Sequence, residues 1–295
     1  MATPRLIESV KDTIVGTIKG TGEVVNAVTD TVSDVLSNTL KRTGQVGTAA
    51  TDAAAGVAQG VIQGTSEVGA DLGSAARGMM IGTLRGTRDV GGAAVDTIGT
   101  SVKALVRETG AVGGDVGKTM TNAIEGSIQA AKEVGVNTSE AVSASVAGAM
   151  RATSEMGRSV TDAASDVASG VVRGTSSVSG EIGTAVKSAI IGTLRGTRDV
   201  STQALAAVSD TAESLVKETA ATGGDVATAA KSAVEGAIVG ARELGLDASE
   251  AASAAANGAM KAAGSVGRTA TDEVTKALSG AIAGVKVVVK EPFKR

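Results

Sequence analysis

The decapeptide IGTLRGTRDV stands at residues 81–90 and again at 191–200. The same offset of 110 residues aligns VGGDV (112–116) with TGGDV (222–226), and SEAVSASVAGAM (139–150) with SEAASAAANGAM (249–260). A duplicated block of that length accounts for all three. Inside it runs a shorter period of 22, seen in IKGTGEVV (18–25), IQGTSEVG (62–69), LRGTRDVG (84–91) and MRATSEMG (150–157). Rows of 22 start at Ile18, Leu40, Ile62, Leu84, Val106, Ile128, Met150, Val172, Leu194, Val216, Ile238 and Met260, so position 1 is always a large aliphatic. Position 7 reads Val24, Val46, Val68, Val90, Val112, Val134, Met156, Val178, Val200, Leu244 and Val266, with Thr222 as its one polar member. Position 8 is mostly glycine, position 2 is usually Lys, Arg or Gln, and position 6 is often acidic.

Twenty-two is twice eleven, and eleven residues make three turns at 3.67 per turn, close to the α-helical repeat. Small or apolar residues favour positions 4, 7, 11, 15, 18 and 22, in steps of three and four, which is helical spacing. With positions 1, 8, 12 and 19 the stripe covers roughly 130° of a helical wheel. Basic residues at 2 and acids at 6 and 13 (Asp30, Asp52, Asp96, Glu140, Asp162, Glu250, Asp272) fall on the opposite side. A β-solenoid would need strict alternation and turn clusters at each corner, and Ala is abundant throughout instead.

The phase holds from Ile18 to Val288 without insertion or deletion. Loops collect phase slips and Gly-Pro-Asn clusters, so this regularity predicts an all-α fold built as a long, nearly uninterrupted amphipathic helix, either extended or folded into a few long antiparallel segments. Pro4 and Pro292 stand at the two ends, and Thr3 before Pro4 reads as a helix cap. The expected organisation is a helix start at 1–17, the repeat array at 18–281, and an irregular basic-apolar tail at 282–295.

Composition narrows the function classes. The chain has 295 residues, no His, Cys, Trp or Tyr, one Phe, 40 Gly and 2 Pro. The usual general bases and soft nucleophiles are missing, and the remaining Ser, Lys, Asp and Glu sit in repeat columns, so no catalytic or metal-binding residues and no cofactor are expected. Net charge is −3. That balance gives no reason to expect nucleic acid as a partner, and nothing suggests a small-molecule substrate. No stretch approaches the ~18 apolar residues of a transmembrane span. A cytoplasmic protein, soluble or peripheral to a membrane, is the expected location.

Glycine inside a helix costs about 1 kcal/mol relative to alanine. A handful of aliphatic side chains per repeat, each worth about 1.5–3 kcal/mol when buried, is of similar size, so an isolated helix is marginal in water. The apolar stripe therefore needs a surface. Candidates are a lipid interface, which accepts a helix with a wide apolar face, other copies of the chain packed through Gly/Ala/Thr faces, and an ordered lattice such as ice facing the recurrent threonine at position 4.

The segments KGTGEVV (19–25), KRTGQVG (41–47) and RGTRDVG (85–91) resemble the Lys-Thr-Lys-Glu-Gly-Val repeats of synucleins. The Thr/Gly/Val-rich array over 18–288 is also similar to the lipid-droplet-coating region of perilipins, and its period to late-embryogenesis-abundant desiccation proteins. The resemblance implies a chain that folds as a helix on a phospholipid or lipid-droplet surface. Synuclein repeats carry more lysine, whereas acid and base are balanced here.

Three local features bear on sites. GGDVGKT (113–119) ends like a phosphate-binding loop, but Val112 stands where the motif needs glycine, no strand precedes it, and the second copy, GGDVATA (223–229), lacks the lysine. Pairs such as Lys19 with Glu23 and Arg85 with Asp89 are i,i+4 neighbours on a solvated face, or intermolecular contacts that set register between helices. The tail carries Lys286, Lys290, Lys294 and Arg295 around Phe293, either a frayed terminus or an anchor at an anionic surface. The expected function is a non-enzymatic lipid-surface coat inserting the position 1 and position 7 side chains. The alternative is a self-assembling filament or bundle, and desiccation or ice protection is a lesser one.

Overall fold

Position 8 glycines end helices, and at most of these corners the polar residue two places later starts the next one; at Gly267 the next helix, from Arg268, follows directly. Gly135 (φ 77°) and Gly245 (φ 71°) are left-handed, a conformation glycine reaches without steric cost. Just beyond them the amides of Val136 and Leu246 reach back to the carbonyls of Ala131 and Ala241 at 2.9 and 2.8 Å, closing the helix end. Asn137 and Asp247, at position 10, then accept hydrogen bonds from the amides of Ser139 and Ser249 at 2.9 and 2.7 Å and cap the following helix. Asp115, Ser159 and Asp225 cap in the same way. Ser179 takes the left-handed conformation (φ 52°) in the one described turn where position 8 is not glycine.

The computed structural model describes residues 4–21, 23–43, 48–88, 94–198 and 201–287, and the described residues form thirteen helices. They are α1 (Pro4–Thr21), α2 (Val24–Thr43), α3 (Thr48–Glu67), α4 (Leu72–Arg88), α5 (Ala94–Ala111), α6 (Val116–Val134), α7 (Thr138–Glu155), α8 (Val160–Ser177), α9 (Ile182–Thr197), α10 (Ser201–Ala221), α11 (Val226–Leu244), α12 (Ala248–Val266) and α13 (Arg268–Leu278). A two-stranded antiparallel hairpin, β1 (Ala281–Ile282) and β2 (Val285–Lys286), follows. The fold is all-α apart from this hairpin, but the expected long helix is not there: one repeat is one helix and one turn. The phase survives because successive turns keep the helix-plus-turn length at 22, so the turn is part of the repeat. Pro4 opens α1, while its proposed cap Thr3 lies outside the described residues.

Consecutive helices run antiparallel, and up to α12 each packs mainly on the helix two places away and less on its sequence neighbour. This places odd-numbered helices in one layer and even-numbered helices in a second. Helices two apart are parallel and touch almost backbone to backbone. A Cβ built on Gly148, Gly192, Gly236 or Gly258 would stand 2.2, 2.5, 2.5 and 2.0 Å from the carbonyl oxygens of Gly99, Ser143, Lys187 and Ser209. The glycine content that weakens each helix alone is what lets its neighbour approach.

Five helices make up the duplicated block. An odd number moves each repeated segment to the opposite layer: the first IGTLRGT lies in α4 and the second in α9. Both copies nonetheless make the same contact, Arg85 with Glu133 and Arg195 with Glu243, each at 2.7 Å. The two layers are therefore equivalent environments.

Candidate functional site

The position 1 side chains make up much of the core. Ile18, Leu40, Ile62, Leu84, Val106, Ile128, Met150, Val172, Leu194, Val216, Ile238 and Met260 are all buried, Ile18 the least at 8% exposure. Position 7, at the helix ends, is graded. Val24, Val68, Val134, Met156, Val178 and Leu244 are half-buried, while Val112 and Val266 are 38% and 46% exposed. Val46, Val90 and Val200 lie outside the described residues. The two columns expected on one apolar face thus separate, position 1 into the protein and position 7 toward its turns.

The threonines at position 4 are also interior. Thr65, Thr87, Thr109, Thr153, Thr175, Thr197 and Thr219 are buried, and several return their hydroxyls to the carbonyl one turn back, as Thr197 does to Thr193 at 2.8 Å. The hydroxyls of Thr65 and Thr175, equivalent across the duplication, make no hydrogen bond.

Charged columns pair between helices. Glutamate at position 6 meets arginine at position 2 of the helix two places earlier, as in Arg85–Glu133 and Arg195–Glu243, and Lys103 meets Glu155 at 2.6 Å. Arg85 takes neither expected role: it pairs within the chain, with Glu133 of α6, and Asp89 lies outside the described residues. The GGDVGKT segment is a turn and a helix start. Gly113 is left-handed, Asp115 caps α6, Lys118 pairs with Asp71 at 2.7 Å, and Thr119 is buried against Thr109. Burial pushes the Asp71 carboxyl up, but hydrogen bonds from Lys118 and from the Ser74 hydroxyl and amide outweigh it and bring its pKa to about 2. Asp166 moves the other way: half burial raises it, the Asp115 and Asp162 carboxylates add to the rise, and Arg158 opposes it.

A groove of about 500 Å³ lies over α5 and α7, floored by Gly99, Ala144, Ala147 and Gly148. Lys103, Arg107, Arg151 and Arg195 line it, but each is engaged. Lys103 and Arg195 hold Glu155 and Glu243, Arg107 holds Glu108 at 3.0 Å, and Arg151 donates to the Arg195 carbonyl at 3.4 Å. With four carboxylates (Asp96, Glu108, Glu155, Glu243) around four cations the groove is close to neutral. Among the described residues no group of three or more potential ligands could hold a metal ion, and no helix is long and apolar enough to cross a membrane.

Of the tail, the hairpin buries Ile282 and accepts a hydrogen bond from Arg242 at the Ala283 carbonyl, 3.0 Å. Lys286 is exposed on β2. Lys290, Phe293, Lys294 and Arg295 lie outside the described residues.

No protein-family model matches the chain, and no curated protein matches it. The functional reading therefore rests on the geometry alone.

The most informative signal passed over in the sequence is the triplet at positions 8–10: GAD (69–71), GGD (113–115 and 223–225), GVN (135–137), GRS (157–159) and GLD (245–247). Left-handed glycine, one spacer and a capping side chain is the chemistry of a helix–turn–helix corner.

Proposed function

We propose that the chain is a non-enzymatic structural scaffold, a self-contained helical array whose small-residue faces join helices within one molecule. The observation that carries this reading is the burial of every described position 1 side chain against the protein's own helices. Position 1 of the apolar stripe is already covered and position 7 in part, and interhelical ion pairs such as Arg85–Glu133 lie on the outer surface. In this reading, the surface a marginal helix requires is supplied by the helices two places before and after it.

The lipid-coat reading requires the array to open, so that Ile62, Leu84 and their equivalents leave the core for the lipid. Far-UV circular dichroism with sedimentation, first in buffer and then with neutral vesicles, anionic vesicles and an oil emulsion, separates the two. A scaffold is strongly helical in buffer and unchanged by lipid. A coil that becomes helical only with lipid overturns the scaffold reading in favour of a coat. A helical species much larger than a monomer in buffer extends the small-residue contacts to assembly between copies.

A further inference from the structure

One interface recurs along this molecule in two registers. In α6, α7, α8, α9, α11 and α12, the position 21 glycine lies on the position 16 carbonyl of the helix two places back, as Gly126 lies on Arg77 and Gly192 on Ser143. In α3 and α4 it lies on position 12 instead, Gly60 on Ile7 and Gly82 on Thr29. The ion pairs shift in the same direction. Glutamate at position 6 meets position 2 (Arg85–Glu133, Arg195–Glu243) or position 20 (Lys103–Glu155, 2.6 Å) in the common register, and position 16 between α1 and α3 (Lys11–Glu67, 2.8 Å). Four residues are one helical turn, about 6 Å.

Two sequence features accompany the shifted pairs. First, α3 and α4 carry a third glycine at position 17, Gly56 and Gly78, where later helices have residues such as Asn122, Asp166, Ser188 and Asp210. A Cβ on Gly78 would stand 2.6 Å from the Val25 carbonyl oxygen, so the shifted register requires glycine there; the common register accepts larger residues. Second, the α1–α2 turn has moved. α1 ends at position 4 and α2 begins at position 7, whereas α5 ends at position 6 and α6 begins at position 11. Positions 8–10 of that row are Val25, Asn26 and Ala27, without the glycine and cap of later corners.

We propose that the α1–α2 pair has a second seat on α3–α4, one helical turn back along the chain, making this edge of the array a two-position slide. Both helices slip in the same chain direction, so the turn between them migrates. As α2 advances by one turn, Val24–Ala27 uncoil and its tip stays in place, while α1 gains the two residues that later helices have at that end. The second seat has its own ion pair: Lys19 stands at position 2 and meets Glu67 as Arg85 meets Glu133. Intermediate positions set glycine faces against side chains, so the seats are discrete, as in one-turn ratchets between packed helices. This inference does not depend on the scaffold reading.

The test uses the full chain with nitroxide labels at Arg5→Cys and Ser66→Cys, both exposed sites, and pulsed electron–electron distance measurement. Gly78→Ala closes the observed seat, since its Cβ would stand 2.6 Å from the Val25 carbonyl oxygen. Val25→Gly/Ala27→Asp installs the later type of corner and puts a carboxylate at Ala27, which is buried in the observed seat. Either change lengthens the label distance by about 5 Å, the axial slip of one turn reduced by the lateral offset, with helical content retained. If neither variant gives the longer distance, whether the distance stays as in the parent or broadens with loss of helix, the second seat does not exist.

Discussion

Replacing Gly258 by alanine places a Cβ 2.0 Å from the Ser209 carbonyl oxygen, 2.8 Å from its carbon and 3.1 Å from its Cα. These are backbone atoms of α10 and cannot rotate away, so α10 and α12 must part by about 1 Å, which forfeits up to half of each contact's dispersion energy along the seam. Overpacking of this kind costs about 1–3 kcal/mol, and a backbone obstacle puts this case at the upper end. Alanine returns about 1 kcal/mol of helix propensity, leaving a net loss of about 2 kcal/mol. Gly16 in α1 has nothing within 4 Å of its built Cβ. There the propensity term stands alone, and Gly16→Ala stabilises by about 1 kcal/mol. Two identical chemical changes thus differ by about 3 kcal/mol, with opposite signs. Urea unfolding followed by circular dichroism gives the comparison. Hydrogen exchange of the α12 and α1 amides localises it, because long helical arrays unfold in stages. Destabilisation by both substitutions, or stabilisation by both, would refute the claim that glycine serves as the contact surface between alternate helices.

Asp225→Ala removes the side chain that accepts the Ala227 and Thr228 amides at 2.9 and 3.0 Å, and should lower stability by about 1 kcal/mol in urea titration. Ser179→Gly relieves a left-handed non-glycine residue (φ 52°) and should raise the unfolding midpoint by the equivalent of about 1 kcal/mol. A double-mutant cycle on Arg195 and Glu243, 45% and 43% exposed, should give a coupling below about 1 kcal/mol that shrinks in molar salt. The Asp71 carboxyl has its folded pKa depressed to about 2. Its contribution is therefore fully present above the unfolded value near 4 and lost as pH falls from there through 2; unfolding midpoints of the parent and Asp71→Asn should converge across that window.

The α-helical class, the 22-residue unit and the aliphatic column at position 1 were legible because each depends on spacing alone. Corner chemistry was legible too, but a regular turn hides inside a regular repeat: Gly135 and Asn137 recur in phase with Ile128, so they do not look like interruptions. The pairing of Arg85 with Glu133 was less accessible. A basic residue at position 2 and an acid at position 6 look like i,i+4 neighbours on one helix, and only the packing of α4 on α6 brings the distant partner to 2.7 Å.

Sequence by itself determined that this chain is helical and that its helices are amphipathic with a wide stripe of small and apolar residues, while its regular corners read as continuous helix. Those properties follow from backbone conformation and periodicity, which are local. Tertiary structure decided which surface covers the apolar stripe, which layer each copy of the duplicated block occupies, and that the first two pairs sit one turn out of step with the rest. Those outcomes depend on how closely two backbones approach, and that distance is a property of pairs of helices some 44 residues apart in the sequence, which no single repeat contains.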